Sequence, residues 1–163
     1  MDVRSILLLW HPDRRKLLLL RRSGGKTLFP NLITGIGGAI ELSQGEGEDL
    51  EGAVLRELEE ETRIRRADIS PPRLRLSTLL SRDDKQVVLL WYTAELIEVP
   101  TDLSSTDGTL AFFHAQDLPL EEMIPTARQA IPFVAALPHD DPVTYNGIYE
   151  PTTLRLITNR PTV

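Results

Sequence analysis

The sequence predicts an α/β (α+β) domain in which strands precede, separate and follow two helices. Short aliphatic runs bounded by Pro, Gly and Asp indicate the strands, and two longer segments rich in helix formers indicate the helices. Elements in this order pack as layers around one core. A length of 163 residues with 41% hydrophobic residues is sufficient for one domain, so we expect residues 1–163 to form a single domain.

The first strands form a predicted hairpin. The aliphatic runs 6–10 and 17–22 flank residues 11–15, where proline and aspartate favour a turn. Residues 32–36 are a further short strand, which runs into Gly37-Gly38. The N-terminal part of the chain is therefore predicted to be β-structure.

The later strands and both helices follow from similar signals. Residues 48–62 hold helix formers, one glycine and no proline, and they are the strongest helix prediction. A second helix is predicted from 125 or 126 to 137, with Pro132 expected to bend it. The remaining predicted strands are 74–80 and 86–96, which form a hairpin, then 110–114 and 153–158.

The composition excludes several classes of protein. No cysteine is present, which excludes a disulfide scaffold, a thiolate zinc site and a cysteine nucleophile. A net charge of −6 opposes binding to a nucleic-acid polymer or an anionic membrane, because both need a basic face. No apolar run approaches the roughly 18–20 residues of a membrane span. We therefore expect a cytoplasmic protein that binds neither membranes nor nucleic-acid polymers.

The negative charge is concentrated in one segment. Between Glu41 and Glu61 there are nine acidic residues and a single base, Arg56, which amounts to a charge of −8. The rest of the chain holds 17 basic and 15 acidic residues, a charge of +2. A function that tolerates or requires this local repulsion is therefore expected in the acidic segment.

Three carboxylates of this segment share one face of the predicted helix. At about 100° per residue, Glu57, Glu60 and Glu61 fall within an arc of about 100°. Their repulsion destabilises a helix, whereas Mg²⁺ prefers such oxygen ligands together with substrate phosphates. A solvated acidic face is the alternative interpretation of the same spacing. The apolar residues expected to anchor this helix to the core are Leu50, Val54 and Leu58.

A glycine-containing segment precedes the acidic helix and favours the metal interpretation. The run Gly35-Ile36-Gly37-Gly38 allows the backbone to approach a ligand or cation closely. Because a bare phosphate would be repelled by the carboxylates, a metal would have to mediate. Arg56 is expected to hold Glu48 or Glu60 by charge-assisted hydrogen bonds, or to lie close to a phosphate.

Together these residues resemble the Nudix box, whose pattern is Gly, five residues, Glu, seven residues, then Arg-Glu-apolar-any-Glu-Glu-any-Gly-apolar. The chain has Gly37-Gly38, then Glu48, seven residues, Arg56-Glu57-Leu58, one residue and Glu60-Glu61. The resemblance implies the Nudix α/β/α sandwich with a mixed central sheet over the whole chain.

The chain departs from the family pattern in two places. Glu48 lies ten positions after Gly38 where the family has six, so about four extra residues lengthen a loop near 42–46 at the mouth of the metal site. Arg63 stands where the family has glycine after the helix. A left-handed conformation there costs a non-glycine residue roughly 1 kcal/mol, so we expect local strain or a re-routed turn.

The resemblance implies a hydrolase that uses Mg²⁺, with Mn²⁺ as a substitute. The implied metal ligands are Glu57, Glu60, Glu61 and the carbonyl of Gly38, and the implied catalytic residues are Glu57, Glu60, Arg56 and Glu48. Within the catalytic set, Glu48 and Arg56 would orient the ligands. The general base is left open between Glu57, Glu60 and a loop acid, for which the candidates are Glu98, Asp102 and Asp107.

A finer resemblance concerns the substrate. Residues 34–38 and 124–128 are similar to the MutT-like nucleoside triphosphate pyrophosphatases. This implies cleavage of a nucleoside triphosphate to a monophosphate and pyrophosphate, with Thr34 and Gly37 as substrate-binding residues. Oxidised purine dNTPs such as 8-oxo-dGTP are candidates, although Ile33 and Thr34 stand where some such hydrolases have tryptophan and asparagine.

The resemblance leaves alternatives open. Within the family these are hydrolases of nucleoside diphosphate sugars, ADP-ribose or dinucleoside polyphosphates, and outside catalysis a nucleotide-binding regulatory module. The partner is a small nucleotide, and the chain is expected to be a monomer or a homodimer. Four aromatic residues are candidates for stacking on a base, but they are expected in the core instead: Trp91, Tyr92, Phe112 and Phe113. No histidine has ligand spacing.

Overall fold

Nine strands form one mixed sheet in this computed structural model, which describes residues 1–41 and 49–157. Two helices pack against the sheet. The strands are β1 (Asp2–Trp10), β2 (Lys16–Arg22), β3 (Ile33–Thr34), β4 (Ile36–Ala39), β5 (Arg73–Arg82), β6 (Lys85–Glu95), β7 (Gly108–His114), β8 (Tyr145–Glu150) and β9 (Thr153–Ile157). The helices are α1 (Leu50–Glu61) and α2 (Pro125–Ala135).

The sheet mixes parallel and antiparallel pairs. Its strand order is β3-β2-β1-β6-β5-β8-β9, with β4 also paired to β1 and β7 to β2. The pairs β1–β6 and β5–β8 are parallel, and the others are antiparallel. The mixed central sheet implied by the family resemblance is therefore confirmed.

The helices cover opposite faces of the sheet. Since side chains alternate along a strand, Leu7 and Leu9 of β1 pack in the cluster that includes α1, whereas Leu8 and Trp10 pack in the cluster that includes α2. Each face thus has its own apolar layer. This arrangement is the three-layer sandwich that the sequence predicted.

Both predicted hairpins are present. In the first, only Leu9–Leu18 and Trp10–Leu17 pair directly, because residues 4–7 of β1 pair with β4 along the same edge. The second hairpin joins β5 to β6 through Asp83 and Asp84, which both have positive φ. Proline and aspartate were therefore reliable turn signals here.

Some elements differ from the sequence prediction. The predicted strand 32–36 is instead two short strands, β3 paired with β2 and β4 paired with β1, and β4 continues through Gly37 and Gly38. A Cβ at Gly37 would collide with the backbone oxygen of Ser5, so glycine allows β4 to approach β1 closely. Strand β8 was not predicted, although its alternating pattern buries Gly147 and Tyr149.

Helix α1 begins after Asp49, whose side chain accepts a hydrogen bond from the backbone N–H of Gly52. The predicted start at Glu48 lies outside the described residues. Val54 and Leu58 are buried as expected, but Leu50 is 42% exposed, so its predicted anchoring role is wrong. Leu50 is the first residue of α1, and its neighbours on the same face, Ala53 and Val54, are buried, so packing against the core begins only with the second turn of the helix.

Helix α2 starts with Pro125 at its first position, where the missing N–H costs nothing. It continues through Pro132, and the bend expected there stays a prediction. Neither α1 nor α2, nor any shorter turn among the described residues, has the length and apolar character needed to cross a bilayer.

Candidate active site

The carboxylate of Glu57 lies directly against Gly38. A Cβ atom at Gly38 would come within 2.6 Å of the Glu57 carboxyl carbon, so any larger residue would displace this side chain. The Glu57 side chain is only 12% exposed. The fold therefore brings together two residues that the sequence predicted as metal ligands, one from α1 and one from β4.

The guanidinium of Arg56 fixes two of the predicted carboxylates. Its Nη1 donates to Oε1 of Glu57 at 3.0 Å and to Oε2 of Glu60 at 3.1 Å. Its Nη2 donates to the carbonyl of Ala39 at 3.2 Å, which ties α1 to the end of β4. The expected contact between Arg56 and Glu60 is therefore present. Glu48, its alternative partner, and the lengthened loop at 42–46 lie outside the described residues.

The carboxyl groups of Glu61 and Asp107 are neighbours, close enough for each to shift the pKa of the other. Burial raises the pKa of Glu61, and the neighbouring carboxylates of Asp107 and Glu57 act in the same direction, so that together they bring it to about 9. Burial opposes ionisation of Asp107 as well, but hydrogen bonds from Lys26 and Glu61 lower the pKa of Asp107 below its usual range. Of these two carboxyl groups, Glu61 therefore holds a proton more strongly than Asp107.

Strand β7 brings Asp107 to the helix. Gly108 pairs with Arg22 at the end of β2, and the backbone N–H of Thr106 donates to the carbonyl of Glu61 at 3.0 Å. Lys26 Nζ then donates to Oδ1 of Asp107 at 2.6 Å. Sequence reasoning missed Lys26, since a single lysine in a short loop carries no spacing signal.

The other two loop acids are elsewhere. Glu98 and Asp102 are exposed, and the Asp102 carboxylate accepts a hydrogen bond from the backbone N–H of Ser104. Of the three candidates from this part of the sequence, Asp107 is the one that contacts an α1 carboxylate.

The chain after α1 is re-routed without strain at Arg63. Thr62 is extended, with φ −133° and ψ 177°, and its hydroxyl donates to the carbonyl of Leu58 at 2.7 Å. The same hydroxyl accepts from the N–H of Ile64 at 3.0 Å. Arg63 is absent from the described residues with positive φ, so the strain expected at the family glycine does not arise. Thr62 therefore ends the helix in an extended conformation, where the family pattern predicts a left-handed glycine.

The two predicted substrate-binding residues lie in strands. Thr34 is half-buried and pairs with Leu20, and Gly37 pairs with Ile6. The close approach of Gly37 to Ser5 gives a structural reason for a glycine at this position. Their contact with a substrate stays a prediction.

The aromatic residues of the strands belong to the core. Trp91 is 1% exposed and donates its indole N–H to the Thr78 hydroxyl at 3.0 Å, and Tyr92 is 4% exposed. Phe112 and Phe113 are half-buried against opposite apolar clusters. The expectation that these rings serve packing is confirmed.

The carboxylate cluster is suited to a divalent cation, although its side chains do not yet surround one point. Among residues 1–41 and 49–157, no three His, Cys, Asp or Glu side chains converge as a ready metal site. Glu60 is instead held by Arg56, and Glu61 faces Asp107. However, Oε2 of Glu61 is buried with no hydrogen-bond partner within these ranges. A buried, unpaired acceptor beside two more carboxylates is the environment that a hard cation stabilises.

A sequence model of the NUDIX domain matches residues 1–134. This match spans most of the chain, which agrees with the sandwich fold and with the position of the carboxylates on α1. The chain therefore belongs to the Nudix family. It is a Nudix hydrolase, which acts on phosphoric anhydride bonds. None of the curated protein sequences compared with the chain matches it significantly.

Solved structures share the fold. A MutT protein from Bacillus halodurans superposes with a TM-score of 0.65 at 21% identity, covering 96% of this chain and 97% of that one. A NUDIX hydrolase from Nitrosomonas europaea gives 0.67 at 18% identity, covering 90% and 77%. An Ap4A hydrolase from C. elegans gives 0.60 at 17% identity, covering 83% and 93%. At these identities the similarity concerns the fold alone.

Proposed function

We propose that the chain is a Mg²⁺-dependent pyrophosphohydrolase that cleaves a nucleoside triphosphate to a monophosphate and pyrophosphate. The observation that carries the proposal is the cluster formed by Glu57 against Gly38 and by Glu61 against Asp107. The MutT-like resemblance of residues 34–38 and 124–128 supports the triphosphate substrate. The proposal treats residues 1–163 as one domain.

The proposed metal ligands are the carboxylates of Glu57, Glu60 and Glu61 and the carbonyl of Gly38. Bound Mg²⁺, or Mn²⁺ in its place, would neutralise the pyrophosphate charge and lower the pKa of a bound water. Arg56 donates hydrogen bonds to Glu57 and Glu60 and to the carbonyl of Ala39 at the end of β4. The proposed role of Glu48 as a further orienting residue remains a prediction from the sequence.

The geometry favours Asp107 among the loop acids as the general base. A base must be ionised, and the hydrogen bond from Lys26 keeps the pKa of Asp107 low. Its carboxylate also lies beside the proposed ligand Glu61. Glu57 and Glu60 are the alternatives, since each is a carboxylate of the same cluster. Lys26 is then a positioning residue, which holds Asp107 towards α1.

The substrate proposal includes oxidised purine dNTPs such as 8-oxo-dGTP, with Thr34 and Gly37 as contacts. Hydrolysis of a nucleoside diphosphate sugar, ADP-ribose or a dinucleoside polyphosphate is the alternative. The partner would be a small nucleotide in the cytoplasm, bound by a monomer or a homodimer.

A phosphate-release screen with Mg²⁺ tests the substrate. It should compare normal and oxidised dNTPs, ADP-ribose, nucleotide sugars and dinucleoside polyphosphates, and should identify the products by anion-exchange chromatography. We expect pyrophosphate and a monophosphate from a dNTP. Turnover restricted to ADP-ribose or a dinucleotide would replace the triphosphate proposal by its alternative.

Thermal unfolding tests the metal site without relying on turnover. At a Mg²⁺ concentration about 100 times its Kd, the free energy of unfolding should rise by about 2.7 kcal/mol. For a chain of this size that raises Tm by about 5–10 °C. The rise should disappear in Glu57→Gln. An equal rise in that variant would show that Mg²⁺ binds elsewhere.

A further inference from the structure

A second concave region lies at the opposite end of β2, on the α2 face of the sheet. It is a cleft of about 920 Å³ between the β1–β2 turn, the end of β7 and the C-terminal end of α2. Strand β2 runs from Lys16 beside this cleft to Arg22 beside the carboxylate cluster. Seven residues of strand span about 20 Å, so the cleft is separate from the active site.

The polar lining of the cleft consists of hydrogen-bond donors. Arg14 and Arg15 come from the β1–β2 turn, His114 and Gln116 from the end of β7, and His139 from the segment after α2. No Asp or Glu lines the cleft within the described ranges. This is the reverse of the carboxylate cluster at the other end of β2.

Several of these donors have no partner among residues 1–41 and 49–157. The side chains of Arg15, His114 and Gln116 are exposed, and within the part of the chain that the structure describes none of them forms a hydrogen bond or ion pair. Arg14 pairs with Glu95 at 3.1 Å, and Glu95 also lies 3.6 Å from Nδ1 of His139. The carboxylate of Glu95 therefore balances the charge of Arg14, whereas the charge of Arg15 is available to a ligand.

The negative end of α2 faces the same region, but other arginines offset it. Arg75, which is 2% exposed, donates through Nη2 to the carbonyl of Pro138 at 2.9 Å. Arg73 donates to the carbonyls of His139 and Asp141. Cations at carbonyls that follow a helix oppose its dipole, so the cleft keeps a positive character.

The remaining wall is apolar and aromatic. Trp10 packs edge-on against His139, with ring centroids 4.7 Å apart. Pro132 and Leu137 of the α2 end line the other side. We propose that this cleft binds a small organic anion, whose phosphoryl or carboxyl group is held by Arg15 and whose flat apolar body lies against Leu137 and the small part of Trp10 that reaches the cleft, 4% of this residue being exposed. Arginine suits both groups because its planar donors match their oxygens.

Two-dimensional NMR of the ¹⁵N-labelled full chain in EDTA tests this site, because Trp10 and Trp91 are the two tryptophans of the chain. The probes are AMP, inorganic phosphate and indole-3-carboxylate. They separate a phosphoryl from a carboxyl preference and show whether the flat body contributes. We expect a saturable shift of the Trp10 indole N–H signal with a Kd below about 1 mM. The buried Trp91 signal serves as the internal reference.

Variants identify the group that binds. Arg15→Ala should weaken binding by about tenfold or more, since a charge-assisted hydrogen bond is lost at an exposed position. Arg155→Ala, at an exposed position on β9, is the matched control and should keep the wild-type Kd. Glu57→Gln should also bind normally, which separates this site from the active site.

Either of two results would overturn the proposal. One is a Trp10 signal that does not move with any probe up to about 10 mM. The other is an identical titration for wild type and Arg15→Ala. Neither result would bear on the proposed hydrolase activity.

Discussion

The two ends of β2 carry opposite charges in different structural settings. At the Arg22 end, the carboxylates of Glu57 and Glu61 come from α1. Glu57 lies against Gly38, and Glu61 lies beside Asp107. At the Lys16 end, exposed donors such as Arg15 come from loops. Buried like charges need a counter-ion to be stable, whereas exposed arginines are stable in water. The acidic end is therefore where the proposed Mg²⁺ would bind, and the basic end is where the proposed organic anion would bind.

The largest expected effect is the loss of kcat when proposed metal ligands at the acidic end are substituted. The double variant Glu60→Gln with Glu61→Gln should lower kcat by about 10⁴-fold or more, because charge neutralisation and water activation are both lost. Steady-state phosphate release measures this. Arg15→Ala, at the basic end, is the control and should keep wild-type kcat. Full turnover in the double variant would contradict the ligand assignment.

The next effect concerns Asp107, the acid directly before β7. Asp107→Asn should lower kcat by about a hundredfold, which is the lower range for removal of a general base. Asp102→Asn is the matched control, because that carboxylate is exposed and bonded only locally to Ser104 among the described residues. Rates measured under single-turnover conditions would separate chemistry from product release. Equal rates in both variants would return the role of base to Glu57 or Glu60.

A smaller effect is expected in the strand beneath the acidic end. Ser5 of β1 pairs with Gly38, and its buried Oγ has no hydrogen-bond partner within the described ranges. Removing a buried, unbonded hydroxyl should raise the free energy of unfolding, so Ser5→Ala should gain about 1 kcal/mol in metal-free urea denaturation.

Thr78→Val is the contrasting variant for this measurement, since the buried Thr78 hydroxyl accepts a hydrogen bond from Trp91. It should lose about 1 kcal/mol or more. A stability loss in Ser5→Ala as well would show that the Ser5 hydroxyl is hydrogen-bonded in solution.

The smallest effect tests the end of α1. Because Thr62 closes the helix in an extended conformation, Arg63→Gly should change the free energy of unfolding by about 0.5 kcal/mol or less. Thr62→Val should cost more, since the hydroxyl bonds to Leu58 and Ile64 are lost. A gain of about 1 kcal/mol in the free energy of unfolding of Arg63→Gly would show that Arg63 is strained, as the family pattern predicts.

Much of the fold followed from local sequence signals. Turn residues such as Pro12 and Asp83 marked both hairpins, and α1 followed from its composition. Strand β8 was missed, because its short run with a central Gly147 lacks an aliphatic signal. Leu50 was misplaced, since its apolar character does not show that the packing of α1 begins only at the second turn.

The carboxylate arc of Glu57, Glu60 and Glu61 and the Nudix box that contains it could be predicted from local sequence, because helical periodicity is a local property of neighbouring residues. Three other features depend on contacts between distant parts of the chain. These are the loop acid that reaches the arc, the hydrogen bond from Lys26 to Asp107, and the position of Arg15 in the cleft at the C-terminal end of α2. These contacts join residues far apart in the chain, and only the pairing of β2 with β7 and the packing of the two helices bring them together.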